Sequence, residues 1–188
     1  MVDQTLTSVI TAAQVAEREA EEEFSREIVG GKWIEEQELP GEMHTGLVKR
    51  VTWILDVFVV QNNLGEVYPD GAIYVLEGTP EHIITQRVPD VSFLSKAKAN
   101  PSNTGYIYHA PDLAIEILSP TERPGHTAAK IADYLGAGTK QVWVIDPEGK
   151  NIAVHFPDGR VKVYDHDETL PGGELLPDFV LNVTDVFA

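Results

Sequence analysis

The chain predicts one α/β domain, and three observations carry that prediction. Its 188 residues are 43% hydrophobic with three Trp, enough for one substantial core. The apolar pattern switches between helical and strand periods in the order helix, three strands, helix, strand. No internal repeat and no linker-like run divides it.

Taken in order, Thr11 to Arg26 carries Glu17, Glu19, Glu21, Glu22 and Glu23 among Ala, Val and Phe24, the pattern of an acidic helix with a solvated face. Residues 1–26 form this N-terminal segment. Glu27 to Ile34 places two short apolar runs around Gly30-Gly31, a hairpin signal. From Gly46 to Asn62, Leu47, Val48, Val51, Ile54, Leu55, Phe58 and Val59 recur at spacings of three and four, which predicts a helix packed on a flat surface. Gly65 to Leu76, Arg87 to Leu94 and Leu113 to Leu118 read as strands, with a long connection from Ser95 to His109. A second helix is expected over Thr127 to Gly136 with a stop at Gly138, followed by a buried strand, Gln141 to Asp146. Asn151 to Val163 reads as a hairpin around Pro157-Asp158-Gly159, and Leu176 to Phe187 as a closing strand or cap. Residues from about 42 to 147 form the expected catalytic core.

Composition excludes several chemistries. With no Cys, thiolate nucleophiles, disulfides and Cys-type zinc sites are ruled out, and any metal must sit on oxygen or nitrogen. No run approaches the roughly 20 apolar residues of a membrane span, and the first residues lack a secretory pattern, so a cytoplasmic protein is expected. A net charge of −16 opposes generic affinity for nucleic acid. Gly30-Gly31 and Gly172-Gly173 lie outside any phosphate-loop frame, and Ser119 lacks a nucleophile-elbow pattern.

Two acidic residues stand inside apolar runs: Asp90 in Arg87 to Phe93, and Glu116 in Leu113 to Leu118. A buried carboxylate is costly unless neutralised, and a divalent cation shared by two of them is one way to achieve this. Asp112 and Glu116 share a strand but stand roughly 13 Å apart at about 3.3 Å per residue. Strands lie about 5 Å apart, so Asp90 and Glu116 on neighbouring strands are the expected metal pair. The second helix would turn Lys130 and Tyr134 to one side while Ala128, Ile131, Ala132 and Leu135 meet the sheet. An ammonium there would stabilise charge developing on a phosphate or orient an attacking water.

Pro89-Asp90-Val91, Ala110-Pro111-Asp112-Leu113-Ala114-Ile115-Glu116-Ile117-Leu118-Ser119-Pro120, Lys130-Ile131-Ala132-Asp133-Tyr134, Gly138 and Val142-Trp143-Val144-Ile145-Asp146-Pro147 together resemble a family of restriction-endonuclease-like nucleases common in photosynthetic bacteria, a branch of the PD-(D/E)xK superfamily. The resemblance extends from Glu27-Ile28-Val29-Gly30-Gly31 to the closing Leu-Pro-x-Phe element. It implies a mixed central sheet flanked by helices (α+β), with Asp90 and Glu116 as carboxylate ligands of Mg²⁺ (or Mn²⁺). The lysine usual two residues after Glu116 is replaced by Leu118, and the resemblance implies its transfer to the following helix as Lys130. It further implies DNA as substrate and a homodimer. Glu27 and Asp112 are expected as second-tier site members. His44 matches a recurrent family histidine, and a helix-start role suits it equally. His126 and Pro124-Gly125 depart from the family pattern. A catalytically silent binding module and a hydrolase of smaller phosphoesters are the rival readings.

Overall fold

The sheet that carries Glu116 is built in the order β10-β9-β8-β7-β6-β3. In the computed structural model, which describes residues 9–20, 27–34, 41–101, 105–120 and 124–188, its strands are β3 (Gly65–Pro69), β6 (Val91–Ser95), β7 (Leu113–Ile117), β8 (Gln141–Asp146), β9 (Asn151–His155) and β10 (Val161–Tyr164). β7 and β8 run parallel, Leu113 beside Gln141 through Ile117 beside Ile145, and all other neighbours are antiparallel. A parallel pair needs a crossover, and the helix α3 (Pro124–Gly136) supplies it. α3 stops where expected, at Gly138, whose φ of +102° suits glycine.

One face of this sheet lies under the long helix α2 (Glu42–Gln61). Leu47, Val48, Val51, Leu55 and Val59 of α2 meet Val91, Phe93, Leu113, Ile115, Ile117, Trp143 and Ile145 in the main core. The predicted helix and its apolar face are therefore present. The tail closes the same core as both a strand and a cap. After β11 (Thr169–Pro171), the strand β12 (Val180–Asn182) pairs with it and leads into α4 (Val183–Phe187), burying Leu176, Phe179, Leu181, Val183 and Val186.

A second sheet, in the order β2-β1-β5-β4, joins the predicted hairpin β1 (Glu27–Val29) and β2 (Lys32–Ile34) to β4 (Tyr74–Thr79) and β5 (His82–Arg87). Gly30 and Gly31, with φ of +57° and +70°, make the tight turn between β1 and β2. Two expected strands are corrected. Gly65 to Leu76 is two strands, because Pro69-Asp70-Gly71 turns the chain between β3 and β4. Arg87 to Leu94 is also divided: Arg87 ends β5, β6 starts at Val91, and Pro89, which has no N–H to give a ladder, sits between. The N-terminal helix α1 spans Ala12–Ala20, and residues 21–26 of the predicted segment lie outside the described residues. Among the described residues no helix is long and apolar enough to cross a membrane.

Candidate active site

Alternation along β7 decides where Glu116 points. Leu113, Ile115 and Ile117 enter the core beneath α2, so Ala114 and Glu116 face the other way, where Ala114 packs with Tyr134 and Val142 beside Ile131 and Leu135. Glu116 is 3% exposed. Its two oxygens are divided between two donors on α3: Tyr134 Oη donates to Oε1 at 2.9 Å and Lys130 Nζ to Oε2 at 3.0 Å. Lys130 and Tyr134 are one helical turn apart, as their spacing predicts.

Asp90 reaches the same place from β6. Val91 pairs with Ile115, and one step further back along β6 sets Asp90 across from Glu116. Its Oδ2 accepts the Ile117 amide at 2.6 Å, which fixes the carboxylate at the end of β7. His44, on the first turn of α2, brings Nε2 within 3.3 Å of the same oxygen. Both contacts fall on Oδ2, so Oδ1 engages no other described group. The expected convergence of Asp90, Glu116 and Lys130 is present, and His44 joins it.

Glu27, the first residue of β1, adds a third carboxylate. Its Oε1 lies 3.5 Å from Lys130 Nζ and accepts the Val88 amide at 3.3 Å. Oε2 accepts Arg87 Nη1 at 2.6 Å, and the same guanidinium donates Nε and Nη2 to Asp133 Oδ2 at 2.9 and 2.7 Å. Two carboxylates, Glu116 and Glu27, therefore contact one ammonium, and the charge of Asp90 also acts on it.

That imbalance sets the protonation states. Burial, reinforced by the charges of Asp90 and Glu27, pushes the Glu116 carboxyl up to about 8 even though Lys130 opposes the rise. Burial works against the Lys130 charge, but Glu116, Glu27 and Asp90 outweigh it and hold the ammonium protonated well above its ordinary range. The hydrogen bond to Asp90 raises His44. Burial, then the nearby carboxylates, raises Tyr134 far enough that its hydroxyl stays a donor.

Asp112 does not join this group. It precedes β7, at the opposite end of the strand from Glu116, and is fully buried. Oδ2 accepts the Ser95 amide at 2.9 Å, and Oδ1 lies 3.2 Å from both Lys98 and Lys140. Burial alone would raise its pKa, but the Ser95 hydrogen bond and Lys98 more than offset this and hold it down to about 2. A depressed carboxyl stabilises the fold above its unfolded pKa and loses that contribution as pH falls through the folded value. Asp112→Asn is therefore expected to cost about 2 kcal/mol near neutral pH and to flatten the acid limb of the stability curve between about pH 4 and pH 2. Denaturant unfolding at several pH values checks this, and unchanged stability together with lost Mn²⁺ binding would return Asp112 to the site.

The sequence profile of the Uma2 family, described as "Putative restriction endonuclease", matches residues 12–184. The chain belongs to this family. The resemblance read from its motifs is borne out, and so is the mixed-sheet fold. A crystal structure of a putative nuclease belonging to DUF820 from Anabaena variabilis ATCC 29413 superposes on this Uma2 chain with a TM-score of 0.77 at 23% identity, over 95% of this chain and 97% of that one. That likeness shows a shared fold. No curated protein matches the chain.

Sequence reasoning passed over Arg87 and Asp133 in this Uma2 chain. Arg87 read as the start of a strand rather than the end of one. Asp133 carried a usable signal, since it stands three residues after Lys130 and so on an adjoining stripe of the helix.

Proposed function

We propose that the chain is a metal-dependent endonuclease that hydrolyses DNA phosphodiesters, with Asp90 and Glu116 as carboxylate ligands and Lys130 as the electrostatic group. The observation that supports this reading is that Asp90 bonds the Ile117 amide, next to Glu116 on β7, while Glu116 accepts Lys130 from α3. Family membership supports nuclease chemistry in general.

The donor set fits Mg²⁺. Among the described residues no three His, Cys, Asp or Glu groups are placed to enclose an ion by themselves. Mg²⁺ does not require such an enclosure, because it keeps several waters and takes one or two carboxylates plus substrate phosphate. Asp90 Oδ1 and Glu116 supply hard oxygens, and burial first, then the charges of Asp90 and Glu27, disfavour the ionised form of Glu116 in a way that a cation would relieve. When bound, Mg²⁺ offsets phosphate charge and lowers the pKa of water.

The chain's own groups do the rest. Asp90 is held in place by the Ile117 amide, and Glu116 by Tyr134, so both meet substrate pre-oriented. Lys130, protonated throughout the neutral range, stabilises negative charge on the phosphoryl oxygens as water bonds to phosphorus and the ester P–O bond breaks. His44 stands beside Asp90, its Nε2 3.3 Å from Oδ2.

Nicking of supercoiled plasmid with Mg²⁺ or Mn²⁺ tests the reading. A second reading, hydrolysis of a smaller phosphoester, is favoured by the net charge of −16, which repels duplex DNA. Bis(p-nitrophenyl) phosphate turned over with Mn²⁺, with plasmid left intact, would select it.

Metal and proton compete for Glu116, and the sign follows from its raised pKa. Between the unfolded carboxyl value and about 8, the unfolded chain is ionised while folded Glu116 keeps its proton, so metal-free stability falls as pH rises through this window. A cation that needs the carboxylate reverses that loss. The Mn²⁺-induced rise in Tm should be larger at pH 8.5 than at pH 6, and a larger rise at pH 6 would remove Glu116 from the ligand set.

A further inference from the structure

We propose that Arg87 and Asp133 are positioning residues that set where Lys130 Nζ stands, an inference resting on the role given to Lys130 above. A lysine on a strand is placed by the sheet's own ladder. A lysine on a helix is not. Apart from the Lys130 and Tyr134 donors to Glu116, the contacts of α3 with its surroundings are apolar, Tyr134, Ile131 and Leu135 against Ala114, Val142 and Leu76. Apolar burial is non-directional and fixes distance from the sheet better than register along it. A further directional bond, from the helix to the second sheet, adds to the constraint that Glu116 supplies.

The Arg87 guanidinium forms that bond. Two of its nitrogens hold Asp133 Oδ2 and the third holds Glu27 Oε2 at 2.6 Å. The other Glu27 oxygen lies 3.5 Å from Lys130 Nζ. Arg87 and Glu27 are 4% and 3% exposed, so water scarcely competes for their contact, and Asp133 is 27% exposed. Lys130 is thereby located twice, through its own helix by way of Asp133 and through space by way of Glu27. Arg87 also stands three residues before Asp90, so one short segment ties the carboxylate strand to the lysine helix. Only a planar fork spans both carboxylates, which is why lysine cannot replace it.

The test needs no activity. In the full chain without metal, acetylation by N-hydroxysuccinimidyl acetate under native conditions is read at Lys130 by peptide mass spectrometry, with Lys140, whose side chain is 60% exposed, as internal reference. Native Lys130, at 13% exposure, should react slowly. Arg87→Met and Asp133→Asn should each raise the Lys130 to Lys140 ratio at least about fivefold, and Arg87→Lys should not restore it. Val154→Ala, a core change on β9 of comparable stability cost, should leave the ratio at the native value. Loss of stability in Asp133→Asn with an unchanged ratio, or an equal rise in Val154→Ala, would overturn the proposal and leave an ordinary buried ion pair. Nicking supplies a second readout: Arg87→Met should slow the native chain about tenfold or more and have no further effect on Lys130→Met, whereas equal effects in both backgrounds would overturn it. If the native chain nicks nothing, the nuclease reading fails by itself, and labelling still decides the positioning role.

Discussion

Glu116→Gln is expected to lower metal-dependent nicking by on the order of a thousandfold, because the several kcal/mol that a metal contributes to such a transition state depend on the carboxylate that holds it. Glutamine keeps the shape and can still accept from Tyr134, so folding should survive. Mn²⁺ affinity, measured by calorimetry, should fall with the rate. Lys130→Met should behave differently. Its loss is expected to cost about 10²- to 10³-fold in rate, the range for removing one preorganised stabilising donor, while Mn²⁺ binding persists but needs a higher pH, since Glu116 Oε2 is freed and Lys130 no longer holds the carboxyl down. The two variants together separate holding the ion from stabilising the charge. A Lys130→Met chain that nicks at the native rate would end the assignment of Lys130, and a Glu116→Gln chain with native Mn²⁺ affinity would end that of Glu116.

The largest effect on stability is expected at Trp143. It lies fully buried on β8, between β7 and β9, stacks on Phe179 with ring centroids 6.3 Å apart, and donates its indole N–H to Gln141 Oε1 at 2.8 Å. Trp143→Ala removes the largest fully buried side chain and leaves a cavity where sheet, α2 and tail meet, at an expected cost of about 3–5 kcal/mol. Urea unfolding should show a lower midpoint with an unchanged slope, and Tm should fall by about 6–20 °C. A loss below about 1.5 kcal/mol would mean that the surrounding side chains close the space. Glu116 and Lys130 are reached from the opposite face of the sheet, so any activity should persist below the new Tm.

The readable parts of this fold were those in which a local pattern has one physical meaning. The three- and four-residue spacing in α2, the Gly pair between β1 and β2 and the stop at Gly138 each fix the backbone through nearby residues alone. Glu116 was legible for a related reason, since a carboxylate within Ala-Ile-Glu-Ile-Leu has to find a partner. The hairpin of β4 and β5 was not. Tyr74 to Arg87 carries Glu77, Gly78, Pro80 and Glu81 at and around its turn, a composition that local reasoning assigns to loop, and its strandedness depends on pairing with β1 from far away in sequence. Asp112 shows the converse. Its place in the motif invites a functional role, but the backbone periodicity that sets it apart from Glu116 matters more, and its partners Ser95, Lys98 and Lys140 arrive from two other segments. Arg87 was hidden because a cation at a strand end has no local signature, and only the folded chain shows that it faces two carboxylates.

The ion-pair chain from Glu27 through Arg87 to Asp133, with Lys130 beside it, gathers groups from two strands of the second sheet and from the crossover helix. No stretch of the polypeptide short enough to leave a ribosome early holds them all. During synthesis the carboxylates of Glu27 and Asp90 emerge first, without the helix that brings Lys130, and in that interval the unfinished chain is an acidic surface that repels nucleic acid. The cluster is complete only after α3 has been made and has packed on β7 and β8. On the function proposed above, the chain would lack the ammonium it needs until most of the sequence has been made.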